Sequence, residues 1–337
     1  MMVKSENKLR RSRVTNCEKK SLNKNRKCNY PSCNKTAINS HILQNNGVLD
    51  RISKDSHLWH IGNNIFSEEI FLPQRKGMKA VFTFPGFCAT HDPELFESIE
   101  QRNEIDFDKY QHCLLLTVRA WYNEYYRKIR IAEVFNCILK DETDEYNRRK
   151  LEMDILGANY SIGDFKKKEE IFWNDILRNQ KSMVFMTKMI PKLDIVLASF
   201  FDYENTIEVN KLEMLGISEE VELSPIFIST FPVKDESAFI IGYFKKDEPK
   251  VKGYANSIFK EKGKRLLRRL SNILLFQCEN WVCSEEFYQD KIKGIEVEIS
   301  KMIKFGLSIG NERKNPNANI FGNRFEKEIS NIMKNGS

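Results

Sequence analysis

Histidine is scarce in this 337-residue chain: there are five, and none lies beyond His112. Long apolar runs are missing, since nothing approaches the roughly 18 consecutive apolar residues that cross a bilayer. No membrane contact is therefore expected. The N-terminus is polar and basic and has no apolar stretch of the kind a secretory signal carries. The fingerprints of nucleotide and acyl chemistry are missing too: there is no P-loop, no dinucleotide-binding glycine motif, no G-x-S-x-G and no kinase set. The missing span and signal make the cytoplasm the expected compartment. There the eight cysteines are expected as reduced thiols or metal ligands rather than disulfides.

What is present describes a globular chain, 41% hydrophobic and 30% charged, long enough for more than one compact unit. The net charge of +7 is concentrated at one end. Residues 1–27 hold ten Lys/Arg against Glu6 and Glu18, which leaves the remainder at −1. This segment has almost no apolar periodicity and is expected to be disordered when free. It reads either as a phosphate-binding arm, through Arg10, Arg11, Arg13, Lys19, Lys20, Arg26 and Lys27, or as a solvated tail. Cys17 stands alone within it and reads as a bystander thiol.

The strongest chemical signal runs from Cys28 to Asp92. Cys28-x4-Cys33, with Pro31 and Ser32 between, places two sulfurs across a tight turn. A second pair, Cys88-x2-His91, stands before Asp92-Pro93, which reads as a helix N-cap and first helical residue. Both spacings suit tetrahedral zinc, and a closed set of four protein ligands is the pattern of a structural site. Cys28, Cys33, Cys88 and His91 are the expected ligands. Gly62 to Pro85 reads as hairpin material, with strands at Ile65-Phe66, Ile70–Leu72 and Ala80–Phe84 around a polar turn at Pro73–Gly77, and it returns Cys88 to the first turn.

A cysteine pair, then Ser40-His41-Ile42, then a Cys-x2-His pair before a helix resembles the treble-clef HNH endonucleases, over residues 28–100. That resemblance implies a zinc-stabilised module, His41 as general base, and Mg²⁺ or Mn²⁺ at the scissile phosphate. Ser40 stands where the family has a metal-binding Asp. Asn63 and Asn64 are placed for the family's middle Asn, and Asp92, Glu94, Glu97 and Glu100 follow the second pair. His41 has three readings: base, metal ligand, or structural residue.

Residues 107–215 read as helical, with apolar residues recurring from Tyr110 to Leu139, again from Tyr146 to Leu156, and from Asp164 to about Phe201. His112 and Cys113 fall there as core positions. Residues 216–305 read as α+β: strands at Val221–Phe231 and Ala238–Phe244, then a helix from Tyr254 to Asn280. Cys278 and Cys283 lack a second pair and read as buried free thiols. Residues 306–337 read as a polar tail with a short helix. The expected class is α+β, with an N-terminal treble-clef zinc module, a long helical middle, and a C-terminal hairpin or small sheet packed with helices. The function that follows is zinc binding combined with engagement of nucleic acid or a protein partner. The alternative is a divergent metal-dependent nuclease relying on His41.

Overall fold

A computed structural model of the chain describes residues 2–62, 72–100, 105–206, 209, 222–278, 280–306 and 319–322. In chain order the elements are α1 (Met2–Leu22), β1 (Asn39–His41), β2 (His57–Gly62), β3 (Gln74–Gly77), β4 (Thr83–Pro85) and α2 (His91–Glu100). Two long helices follow, α3 (Tyr110–Leu139) and α4 (Glu145–Arg178). Then come β5 (Met183–Pro191), β6 (Ile195–Asp202), β7 (Pro225–Val233) and β8 (Glu236–Phe244). The chain continues through α5 (Glu248–Phe259), α6 (Gly263–Phe276), β9 (Asn280–Cys283) and α7 (Glu296–Gly306). The class is mixed helix and sheet, with the expected helical middle and a sheet packed against helices. Among the described residues no helix is long and apolar enough to cross a membrane. Asn63 and Asn64, the strands expected at Ile65-Phe66 and Ile70–Leu72 apart from Leu72 itself, and the short helix expected in the tail lie outside the described residues.

Seven strands form one antiparallel sheet in the order β3-β2-β9-β6-β7-β8-β5. Its central strands are buried on both faces, so β7 and β8 read as continuous apolar runs. Alternation still sorts the side chains. Ile226, Ile228, Phe239 and Ile241 pack with Val251, Tyr254, Leu270 and Ile273 from α5 and α6. Phe227, Phe231, Ile240 and Phe244 face the other way, against Leu114, Val118, Trp121 and Phe172 from α3 and α4. Each such buried side chain stabilises the fold by about 1.5–3 kcal/mol relative to exposure.

Several expected boundaries differ. The helix expected to run to Phe201 stops at Arg178, where Asn179 adopts a left-handed conformation (φ 53°) and donates its N–H to the Asp175 carbonyl. The buried Asp175 carboxylate then accepts the Ser182 N–H at 2.9 Å, which turns the chain into β5. The apolar residues 183–202 pair with β8 and β7, so cross-strand packing overrides the helical reading. The helix expected over 254–280 is two helices broken before Gly263, which sits at φ +50°, and Asn280–Cys283 is a strand. Pro73–Gly77, expected as a turn, contributes β3. Strand β9 pairs Trp59 with Cys283, so segments 28–106 and 216–305 share one sheet.

Residues 1–27, expected to be disordered, contribute helix α1 instead. The physical reason is a set of attachments that composition does not reveal. Cys17 is disulfide-bonded to Cys137 on α3, where a bystander thiol was expected. Both terminal guanidinium nitrogens of Arg26 donate to Glu133 at 2.7 Å, and Ser21 Oγ donates to the same carboxylate. Burial works against ionisation of Glu133, yet Arg26, Ser21 and Lys24 outweigh it and hold the carboxyl down at about 2.

Candidate metal centre

The first cysteine turn is closed by Cys33 N–H donating to the Tyr30 carbonyl at 3.0 Å, with Ser32 at φ 61°. Asn29 then ties the turn to the far pair, since its backbone N–H and its side-chain amide both donate to the Gly86 carbonyl. Ile38 N–H donates to the Phe87 carbonyl at 2.7 Å, and β1 pairs antiparallel with β4. These bonds bring Cys88 beside Cys28. Helix α2 begins at His91 itself, two residues before Pro93, the first helical position that the sequence suggests. Asp92 N–H already donates to the Cys88 carbonyl in helical fashion.

The four expected ligands converge: one donor atom from each of Cys28, Cys33, Cys88 and His91 lies within 4.8 Å of all the others. His91 Nδ1 is 3.5 Å from both Cys28 Sγ and Cys88 Sγ. A tetrahedral zinc with ordinary bond lengths separates a sulfur from a nitrogen ligand by about 3.6 Å. The sulfurs accept backbone N–H groups, from Cys88 and Tyr30 to Cys28 and from His91 to Cys88. Such donors stabilise thiolate and hold the ligands in place. The His91 backbone N–H pulls the Cys88 thiol down to about 7, whereas burial pushes Cys28 up to about 11. The His91 ring stacks on Tyr30 at 3.8 Å, and Tyr30 meets Trp173 of α4 edge-on. Phe87 and Phe96 join the core on the α3–α4 side of the sheet, so the centre is continuous with it. Three soft sulfurs and one imidazole suit a soft or borderline divalent ion in a closed structural site.

No family model matches the chain, and neither the curated proteins nor the solved structures searched contain a match.

His41 does not join the quartet. It lies on β1 opposite Thr83, half-buried, and its Nε2 is enclosed without a hydrogen-bond partner among the described residues. Burial first, and then the Arg119 charge, push its imidazole below the ordinary value. The neighbouring Ser40 hydroxyl donates to Asp92 Oδ1 at 2.5 Å. Asp92 and Glu100 are both engaged by Arg119 from α3, whose Nη2 lies 3.5 Å from Asp92 Oδ2 and bonds Glu100 Oε1. The Arg119 side chain is 1% exposed and stacks over Phe96 at 4.0 Å. Mg²⁺ and Mn²⁺ need carboxylate oxygens free to coordinate. Here the carboxylates nearest His41 already face a guanidinium, so these residues do not fit a second, hard cation.

The basic residues separate into two groups. Arg26 is spent on Glu133, and Arg13 donates to the Asp141 carbonyl. Lys27 bonds Asn34 at the surface, while Arg11, Lys19 and Lys20 are exposed. The Arg10 side chain lies outside the described residues. His57 and His60 lie on β2, apart from the metal quartet. His60 donates through Nε2 to Asn280 Oδ1 at 2.5 Å and accepts Lys76 at Nδ1, which ties β3, β2 and β9 together. Sequence reasoning missed Arg119. Its signal was a lone cation inside the apolar run Leu114–Tyr122.

Proposed function

We propose that Cys28, Cys33, Cys88 and His91 hold a structural zinc ion, and that residues 28–100 form a treble-clef module resembling that of the HNH endonucleases. The convergence of the four donors carries this reading. The module works as a binding element: it docks the chain on nucleic acid, with Lys19 and Lys20 of α1 meeting the phosphate backbone. A protein partner is the other candidate. Arg119 favours binding over catalysis, because it neutralises the carboxylates that a nuclease would give to its catalytic cation.

The test has two parts. Metal analysis of the purified chain should give one zinc per chain, lost in Cys28→Ser and Cys88→Ser. Anisotropy titrations with single- and double-stranded oligonucleotides should then show salt-dependent binding by the zinc-loaded protein. Zinc without oligonucleotide binding at low salt would direct the search to a protein partner. Plasmid cleavage with Mg²⁺ or Mn²⁺ that disappears in His41→Ala would restore the nuclease reading.

A further inference from the structure

Helix α1 has almost no apolar face with which to dock. In its described half, Arg11 to Leu22, the apolar side chains are Val14, Cys17 and Leu22, and Leu22 is 53% exposed. Val14 and Cys17 join Val134, Ile138 and Cys137 in a small cluster separate from the two large cores. A helix this polar does not stay docked by burial of apolar surface. Its polar attachments are uneven. Ser21 and Arg26 hold the C-terminal end to Glu133, while Arg13 makes one exposed bond to the Asp141 carbonyl. Between them lies a covalent attachment, the bond from Cys17 to Cys137 across 120 residues of chain. None of the other six cysteines is disulfide-bonded.

The disulfide is reachable. Cys17 and Cys137 line a cavity of about 570 Å³ between α1 and α3, together with Lys20, Lys24, Asn136 and Lys140. Cys17 is almost fully buried, but Cys137 is only half-buried, so Cys137 is the sulfur open to attack. Glu133 and Asp141 line the same cavity, and Lys24 pairs with Glu133 at 3.0 Å, so access to the sulfur rather than local charge is what opens the bond to a reductant.

We propose that Cys17–Cys137 is a reducible latch holding the basic helix α1 against α3, and that a dithiol reductant opens it. The thiolate of the dithiol attacks Cys137 Sγ, the S–S bond breaks, and Cys17 leaves as a thiolate that takes up a proton. The second thiol of the reductant, deprotonated, closes on its own sulfur in the mixed disulfide and expels Cys137, which is protonated in turn. The protein gains two electrons and two protons, and the dithiol becomes a cyclic disulfide. Once freed, residues up to about Lys20 revert to the disorder that their composition dictates. The Glu133 contacts keep the chain anchored just before the cysteine turn. The latch is independent of whether α1 meets a phosphate.

The test is amide hydrogen exchange across residues 11–20 in the full-length, metal-loaded protein. The samples are air-oxidised protein, the same protein after dithiothreitol, and Cys137→Ser without reductant, with zinc content measured in each. Cys17→Ser serves as a second variant in case Cys137→Ser folds poorly, and Cys113→Ser, a buried thiol elsewhere, serves as control. The expected result is about tenfold or faster exchange in α1 on reduction and in both latch variants, with zinc retained and the rest of α3 protected. Equal protection of α1 in oxidised and reduced protein would overturn the latch. So would peptide mapping that finds Cys17 and Cys137 unlinked in the oxidised sample.

Discussion

Arg119 on α3 and Asp92 on α2 face each other across the base of the candidate metal centre, Nη2 to Oδ2 at 3.5 Å. Ser40 donates to the other Asp92 oxygen. One carboxylate, placed next to the candidate ligand His91, therefore joins β1, α2 and α3. Because Arg119 is enclosed and Asp92 nearly so, removing the cation leaves a buried carboxylate without its partner. Arg119→Ala should destabilise the chain by about 3 kcal/mol, the lower end of the range for broken buried pairs because Glu100 is partly exposed. Urea unfolding measures it, and a loss below about 1 kcal/mol would show the pair to be incidental.

Metal removal should act on the same region. If the four ligands fix the module, a chelator will release the segments around 28–44 and 83–100 while the seven-stranded sheet persists. Zinc at a thousandfold excess over its dissociation constant stabilises the bound state by about 4 kcal/mol. Thermal unfolding should shift down on chelation and return with added zinc, but not in Cys88→Ser. An identical melting curve with and without chelator would remove the structural role.

The convergence of Cys28, Cys33, Cys88 and His91 was legible because its information is local. Two short spacings place the donors, and helix and turn signals flank them. The pairing of β2 with β9 was not legible, since Trp59 and Cys283 meet only through a sheet closed by distant chain segments. Residues 183–202 misled for a related reason. Within them β6, paired on both edges and buried along nearly its whole length, has no strict alternation to separate it from a buried helix. Cys17 looked inert because its partner lies on α3, 120 residues away. Arg119 showed only as an oddity, because its meaning lies in two carboxylates on another helix.

Stability should fall with acid through His60. Burial first, and then the Lys76 charge, hold its imidazole at about 3 in the folded chain, below the ordinary 6.5. The unfolded chain therefore takes up a proton below 6.5 that the folded chain refuses. His60 contributes stability that is complete above about pH 6.5 and declines as pH falls towards 3, at up to about 1.4 kcal/mol per pH unit. Glu133 and other depressed carboxylates add a slope of the same sign at lower pH, so the informative quantity is a difference. Unfolding free energies of wild type and His60→Gln between about pH 7 and 5 should converge as pH falls. Parallel curves would mean that His60 takes up its proton alike in the folded and the unfolded chain.

The division among the basic residues makes the nucleic-acid reading quantitative. Lys19 and Lys20 are exposed, whereas Arg26 is bound by Glu133. Each phosphate neutralised contributes about 0.9 to the slope of log affinity against log salt on duplex DNA. The double variant Lys19→Ala/Lys20→Ala should therefore flatten that slope by about two without lowering the melting temperature. Arg26→Ala should do the reverse. Its guanidinium already pairs with a carboxylate and has little to give to phosphate, but its loss removes the two-pronged bond that anchors α1 to α3. Charge-assisted bonds of this kind stabilise by about 1.5–3 kcal/mol. If Arg26→Ala changes the salt slope as much as the lysine pair does, the basic segment acts as a diffuse cloud of charge. A lysine pair that leaves the slope unchanged would take phosphate contact away from this helix.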